Sequence, residues 1–184
     1  MRIVGGRFKG RTLAGPKSDA IRPTSDRLRE SLFNVLAHGY GDACDGARVI
    51  DLFAGTGALA LEALSRGAVF AALVDQGTEA RGIIRGNIDA FGLSGVTNVL
   101  RRDATRLGAV APFEPFTLLF CDPPYGKGLA ERALVSARDG GWLSPGALVV
   151  VEETAEAALD LPDGFAVEER RSAGDTQLVI ARRN

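Results

Sequence analysis

Residues 48–64 constrain the fold of this chain more than any other stretch. Arg48-Val49-Ile50-Asp51-Leu52 is a short apolar run that predicts a buried strand. Phe53-Ala54-Gly55-Thr56-Gly57 then turns on two glycines, and Leu59, Ala60, Ala63 and Leu64 continue at helical spacing. Strand, glycine turn and helix, in that order, bring bare backbone and a helix N-terminus to one place. A nucleotide-like ligand can approach closely there.

The turn alone leaves two ligand classes open. Gly55-Thr56-Gly57-Ala58-Leu59-Ala60 satisfies the dinucleotide pattern G-x-G-x-x-A, and Asp75 lies about twenty residues on, where a ribose-binding carboxylate is expected. Asp51 pulls the other way. A carboxylate at the strand end repels a pyrophosphate but suits a ligand with a cationic or amino group. S-adenosylmethionine is such a ligand, with a sulfonium, an α-amino group and no phosphate.

Downstream the chain alternates. Apolar runs at 70–74, 96–101, 116–121 and 147–152 predict four more strands, with helices over 78–91 and 128–139 between them. Runs at 166–170 and 177–182, separated by Ser172-Ala173-Gly174-Asp175, predict a closing hairpin. The expected fold is therefore α/β and Rossmann-like: seven strands in a mostly parallel sheet, helices on both faces, and a C-terminal antiparallel hairpin. Ligands of such sheets bind outside the strand C-terminal ends. Asp51, Asp75, Asp103 and Asp122 each stand at such an end. A rim of four carboxylates is poor for phosphate and good for a cation bearing hydroxyls and amines.

Asp122-Pro123-Pro124-Tyr125 is the most specific signal in the chain. Two prolines fix φ and donate nothing from nitrogen, so the carbonyls around them remain acceptors. A carboxylate and a carbonyl can then grip both hydrogens of one –NH₂ group, and Tyr125 offers a flat face for a planar base. An exocyclic amine on a nucleobase fits. Its lone pair is delocalised, and hydrogen bonds to both N–H groups offset the charge that grows as it attacks a sulfonium methyl. The base must be unpaired or flipped out to be reached.

Net charge is −1, but its distribution is uneven: residues 1–30 carry eight Lys or Arg against three Asp or Glu. A basic segment on an acidic body suits an anionic partner. Arg7, Lys9 and Arg11 alternate with Phe8, Gly10 and Thr12, which in a strand would put three basic side chains on one face. Thr24 or Ser25 can then cap a helix with Leu28, Leu32, Phe33, Val35 and Leu36 inward and Arg27, Arg29 and Glu30 off that face, stopping near His38-Gly39. These features divide the chain into a basic extension with one helix over 1–45 and a catalytic domain over 46–184. His38 is the only histidine, which removes triad chemistry and histidine-rich metal sites. Cys44 and Cys121 lack metal-ligand spacing and are expected to be inert thiols. No apolar run approaches membrane-spanning length, so a cytoplasmic chain without membrane contact is expected.

Asp51-Leu52-Phe53-Ala54-Gly55-Thr56-Gly57 together with Asp122-Pro123-Pro124-Tyr125 resembles the S-adenosylmethionine-dependent amino-methyltransferases of class I. Residues 3–11 and the segment Arg22-Pro23-Thr24-Ser25-Asp26-Arg27-Leu28-Arg29-Glu30-Ser31-Leu32-Phe33-Asn34 narrow the resemblance to the RsmD family. That family comprises bacterial 16S rRNA guanine-N2 methyltransferases that modify guanine 966 of the small subunit. The resemblance is strongest over 3–64 and 117–126 and thins after Glu153. It implies that Asp51, Phe53, Gly55 and Gly57 surround the methionine part of S-adenosylmethionine, which leaves as S-adenosylhomocysteine. Asp75 would hold the ribose, and Asp103 with the Ala104 amide would read the adenine. Asp122, Pro123 and Tyr125 would hold the guanine. Arg7, Lys9, Arg11, Arg22, Arg27 and Arg29 would contact 16S rRNA, in the small subunit or its assembly intermediate. No metal and no more than a monomer are implied. Gln76-Gly77 departs from the commoner pattern, which has a charged residue after the ribose-binding acid.

Three rivals stay open at this level. The same tetrapeptide serves adenine N6, cytosine N4 or a protein glutamine; the glycine turn also serves NAD-dependent oxidoreductases; and a non-catalytic RNA-binding protein could keep the fold. The basic segment favours RNA, and an NAD enzyme would leave Asp51 and Asp122-Pro123-Pro124-Tyr125 unexplained.

Overall fold

A computed structural model of the chain describes residues 1–17 and 24–184. Seven strands form one sheet: β1 Arg48–Leu52, β2 Phe70–Val74, β3 Thr97–Leu100, β4 Phe116–Cys121, β5 Leu143–Thr154, β6 Phe165–Ala173 and β7 Thr176–Arg183. Their order is β3-β2-β1-β4-β5-β7-β6. The first five are parallel, and β7 runs antiparallel between β5 and β6. The chain moves outward from β1 to β3 and then returns to lay β4 on β1's other side. That reversal leaves a crevice above the C-terminal ends of β1 and β4.

Both sheet faces are covered, and strand alternation sorts the residues between them. Val49, Ala71, Leu73, Leu118, Phe120, Leu148 and Val150 pack under the helices α1 Asp26–Gly39, α2 Ala58–Ser65 and α3 Thr78–Phe91. Ile50, Leu52, Ala72, Val74, Leu119, Cys121, Val149 and Val151 face α4 Leu129–Asp139 and the buried Trp142. Continuing the first set by two residues reaches Asp51, Asp75, Asp122 and Glu152. Four carboxylates therefore share the α1–α3 side of the sheet. All eight residues of α2 are buried, because it lies between the sheet and the N-terminal arm.

The arm, expected to be irregular or short-stranded, is irregular apart from a single bridge between Arg2 and Thr12. Residues 1–13 fold as a tight hairpin, in which the Ile3 amide donates to Arg11 O at 2.9 Å and the Gly10 amide to Ile3 O at 2.8 Å. Its tip is a 3₁₀ turn, Gly6–Phe8, where Gly6 (φ 73°) and Gly10 (φ 87°) reverse the chain. On that tip Arg7 and Arg11 both lie over the Phe8 ring, at 4.6 and 5.3 Å from its centroid. Ile3 and Leu13 anchor the hairpin in the core. Buried Glu62 on α2 accepts from the Val4 and Gly5 amides at 2.9 and 2.8 Å and pairs with Arg66. Among the described residues no helix is long and apolar enough to cross a membrane. Cys44 and Cys121 are buried free thiols, and burial pushes Cys44 up to about 12.

Candidate active site

One cavity of about 1230 Å³ opens above the β1–β4 switch point. It exceeds the roughly 300–1,000 Å³ of an ordinary small-molecule pocket and has room for two ligands side by side.

Asp51 is a lining carboxylate that is almost fully buried, at 1% exposure. The carboxylate accepts from the Ala60 amide at 3.2 Å, in the first turn of α2. Burial pushes its pKa up to about 7; the Ala60 bond opposes this, and the charge of Asp75 adds to it. A buried acid so poised suits a cationic partner, whose arrival would restore the ionised form. The chain then turns at Phe53, whose φ of 59° is unusual for an aromatic residue, followed by Gly55 and Gly57 at 58° and 79°. Strain of this kind concentrates where a ligand is held. Asp75 stabilises the turn, taking the Gly55 amide at 2.9 Å on one oxygen and the Gly77 amide at 2.7 Å on the other.

Beyond β3, Asp103 accepts from both the amide and the hydroxyl of Thr105, at 2.8 and 2.7 Å. These bonds hold its pKa below the usual carboxylate range. Ala104 is buried beside it, opening a short 3₁₀ turn. Arg102 is committed to structure, donating to Leu107 O at 2.7 Å and stacking on Trp142.

The other half of the cavity is built on the end of β4. Pro123 is buried and Asp122 and Tyr125 are half-buried. Thr24, expected as a possible helix cap, instead donates its hydroxyl to Asp122 Oδ2 at 3.1 Å, and Ser25 caps α1 through the Leu28 amide at 3.2 Å. The Tyr125 hydroxyl donates to Glu152 Oε1 at 2.6 Å. The first turns of α1, through Arg27 and Leu28, and the β6–β7 turn, through Gly174 and Asp175, wall this half.

The structure thus brings together Asp51, Phe53, Gly55, Asp75, Asp103, Ala104, Asp122, Pro123 and Tyr125 on one cavity. Gly57 sits just beneath: a Cβ there would lie 3.0 Å from Leu73. The basic residues divide. Arg27 is exposed and lines the cavity. Arg29 does not lie off the apolar face of α1: it is fully buried, paired with Asp26 and, at 3.3 Å, with Glu62. Its role is to neutralise Glu62, and it presents no charge to a partner. Arg7, Lys9 and Arg11 are exposed on the hairpin tip, where Arg11 lies 4.2 Å over Phe91 and donates to Ala90 O at 2.6 Å. Ala90 is about twelve residues along α3 from the cavity-lining Thr78, roughly 18 Å at 1.5 Å per residue. Arg22 lies outside the described residues.

Sequence reasoning missed four contributors. Glu152 ends an apolar run as the four aspartates do, and the same strand-end rule finds it. Asn87 donates to Ala14 O and Thr56 O, tying arm and glycine turn to α3. Glu62 carries no local signal, since its partners lie far away in sequence; the β6–β7 turn is legible as a hairpin turn, but its place on the cavity wall is set by topology.

Comparison with known proteins gives the same arrangement a lineage. Residues 1–182 match the family model described as Conserved hypothetical protein 95. The chain is 36% identical to ribosomal RNA small subunit methyltransferase D of Escherichia coli K12, covering all of this chain and 90% of that protein. Among solved structures, yhhF of Escherichia coli superposes with a TM-score of 0.84 at 34% identity, covering 100% of this chain and 98% of that one. The 16S rRNA N2 G1207 methyltransferase RsmC of Thermus thermophilus, solved with AdoMet and guanosine, shares the fold. Its TM-score is 0.63 at 20% identity, over 91% of this chain and 45% of that one. With a class I methyltransferase fold and a family match along nearly its whole length, this chain belongs to the RsmD family.

Proposed function

We propose that this protein transfers a methyl group from S-adenosylmethionine to the exocyclic N2 of a guanine in 16S rRNA, at the position numbered 966. The observation that carries the reading is the meeting of Asp51 and Asp122 in one cavity, on adjacent parallel strands and on the same side of the sheet. One carboxylate suits a cationic donor and the other suits the amine that attacks it. The likeness to the Escherichia coli ribosomal RNA small subunit methyltransferase D supports the same reaction class.

The residues fit S-adenosylmethionine on chemistry as well as space, since the buried acid of Asp51 calls for a cation and an acidic rim disfavours a dinucleotide's phosphates. When bound, that cofactor supplies an electrophilic methyl on a sulfonium. Asp51 holds the ammonium end, Asp75 the ribose hydroxyls, and Asp103 with the Ala104 amide the adenine. Asp122 and the carbonyl beside Pro123 orient the amine lone pair towards the methyl and stabilise the growing charge. Tyr125 stacks on the base, and the walls from α1 and the β6–β7 turn exclude water. Residues 1–45 form the rRNA-contacting segment, docked on the catalytic domain through Glu62. The protein works as a monomer in the cytoplasm, on the small subunit or its assembly intermediate.

The test combines substrate and site. Small subunits from a strain lacking the modification should accept labelled methyl as N2-methylguanosine at one 16S site, read by mass spectrometry. Asp122→Ala should cut turnover about 10²–10³-fold while S-adenosylmethionine affinity stays within about two-fold. Transfer to DNA or protein but not to subunits would overturn the substrate, and lost cofactor binding would overturn the role of Asp122.

A further inference from the structure

We infer that Glu152 reads the N1–H of the target guanine and thereby rejects the other amino-bearing groups that an Asp-Pro-Pro-Tyr site could methylate. The inference rests on the amino-methyltransferase reading of the cavity. β4 and β5 are parallel with Cys121 beside Val151, so the next step sets Asp122 beside Glu152. By strand alternation both continue the rows of Phe120 and Val150, towards α1. Both line the cavity, and Glu152 is 7% exposed. The Tyr125 hydroxyl, 2.6 Å from Glu152 Oε1, locks that carboxylate into the turn that carries Asp122. A carboxylate has two oxygens, each able to accept more than one hydrogen bond.

Two neighbouring carboxylates welcome a row of donors and repel an acceptor. Guanine alone among the rival targets presents such a row: the N2 amine next to the N1–H. In adenine the N6 amine adjoins the bare N1, in cytosine the N4 amine adjoins the bare N3, and in glutamine the amide nitrogen adjoins a carbonyl oxygen. With Asp122 on the amine, each of these would aim a lone pair at Glu152. A site with a positioned partner for a substrate N–H discriminates strongly against ligands lacking it, because the partner is left unsatisfied.

The probe is 2-aminopurine, which keeps the 2-amino group, replaces N1–H with a bare nitrogen and also lacks O6, so the Glu152→Gln comparison is what assigns the loss to N1. Small subunits reconstituted with guanine or 2-aminopurine at the target are compared in single-turnover methylation. The wild type should methylate the 2-aminopurine subunit about 10- to 100-fold more slowly, the range of one hydrogen bond to a charged acceptor. Glu152→Gln keeps an acceptor for Tyr125 and can donate its amide to a bare N1, so the preference should shrink towards equality or invert. Equal wild-type rates would overturn the inference whatever the variant does. A variant that slows both substrates in proportion would make Glu152 a structural residue and overturn it as well. No methylation of the guanine subunit by the wild type would instead overturn the functional reading, and this inference with it.

Discussion

The burial of Asp51 should make S-adenosylmethionine affinity depend on pH, with a predictable sign. The carboxyl is 1% exposed and its pKa is raised to about 7, chiefly by desolvation. If the bound ammonium requires the ionised form, affinity follows the fraction of Asp51 ionised in the free protein. That fraction is about one half at pH 7 and about 3% at pH 5.5, so affinity should fall roughly 15-fold across this range. Staying at or below pH 7 keeps the ligand's own amino group charged, since α-amino groups titrate near about 7.7–8.0. Isothermal titration calorimetry in buffers of different protonation enthalpy reads both consequences: weaker binding at pH 5.5, and release of close to one proton per ligand bound. Asp51→Asn should bind weakly with no slope and no proton release. Its ligand-free stability runs the other way. A raised folded pKa means stability that is complete below the unfolded value of 3.8 and is lost as pH rises through about 7. At pH 8 the Asn variant should therefore resist urea better than the wild type, by at most about 4 kcal/mol, and near pH 4 the two should converge. A flat wild-type affinity between pH 5.5 and 7, or an equal slope in the variant, would refute the reasoning.

Other consequences follow from the packing. Glu62→Gln leaves Arg29 under-neutralised in a fully buried position and should cost about 3 kcal/mol in urea unfolding; a loss below about 1 kcal/mol would contradict the role given to the Arg29–Glu62 pair. Gly57→Ala combines a φ of 79° with a Cβ 3.0 Å from Leu73, so about 1–2 kcal/mol of stability should go. Gly82→Ala, on the exposed side of α3 with nothing within 4 Å, should gain about 0.5–1 kcal/mol. Neutralising Arg7, Lys9 and Arg11 together should weaken rRNA binding and flatten its log–log salt dependence by up to about 3; an unchanged slope would remove the hairpin tip from the interface.

Legibility followed burial. β1, β2 and β4 stand at 48–52, 70–74 and 116–121, as their apolar runs predict, because strands covered on both faces read as nearly continuous apolar runs. β5 runs from Leu143, where 147 was expected, since Ser144-Pro145-Gly146 masks its start; pairing with β4 holds that segment through a register shift. β6 extends to Ala173, past the expected 170, as an exposed strand rich in charge. The same logic governs the site. Aspartates at strand ends were legible because topology alone carries them to one rim. Arg29 was not, because its partner Glu62 is contributed by another helix, and composition gives an arginine no inward direction. The alternation of Arg7, Lys9 and Arg11 left their common face open for a related reason: Gly6 and Gly10 permit a strand but also permit the reversal that the hairpin takes.

The order β5-β7-β6 also sets a sequence of events during synthesis. Among the described residues β6 has no sheet neighbour but β7, and β7 is the later of the two to be made. Until residues 176–183 emerge, the apolar edge of β5 stays open, β6 has nothing to pair with, and the turn that walls the acceptor half of the cavity has no anchor. A nascent chain released as far as α4 already carries Asp51, Asp75, Asp103 and Asp122. On the proposed reading it carries the residues assigned to the donor before β5 brings Glu152 and before the β6–β7 turn closes the wall, so the cavity is completed only when β7 is made.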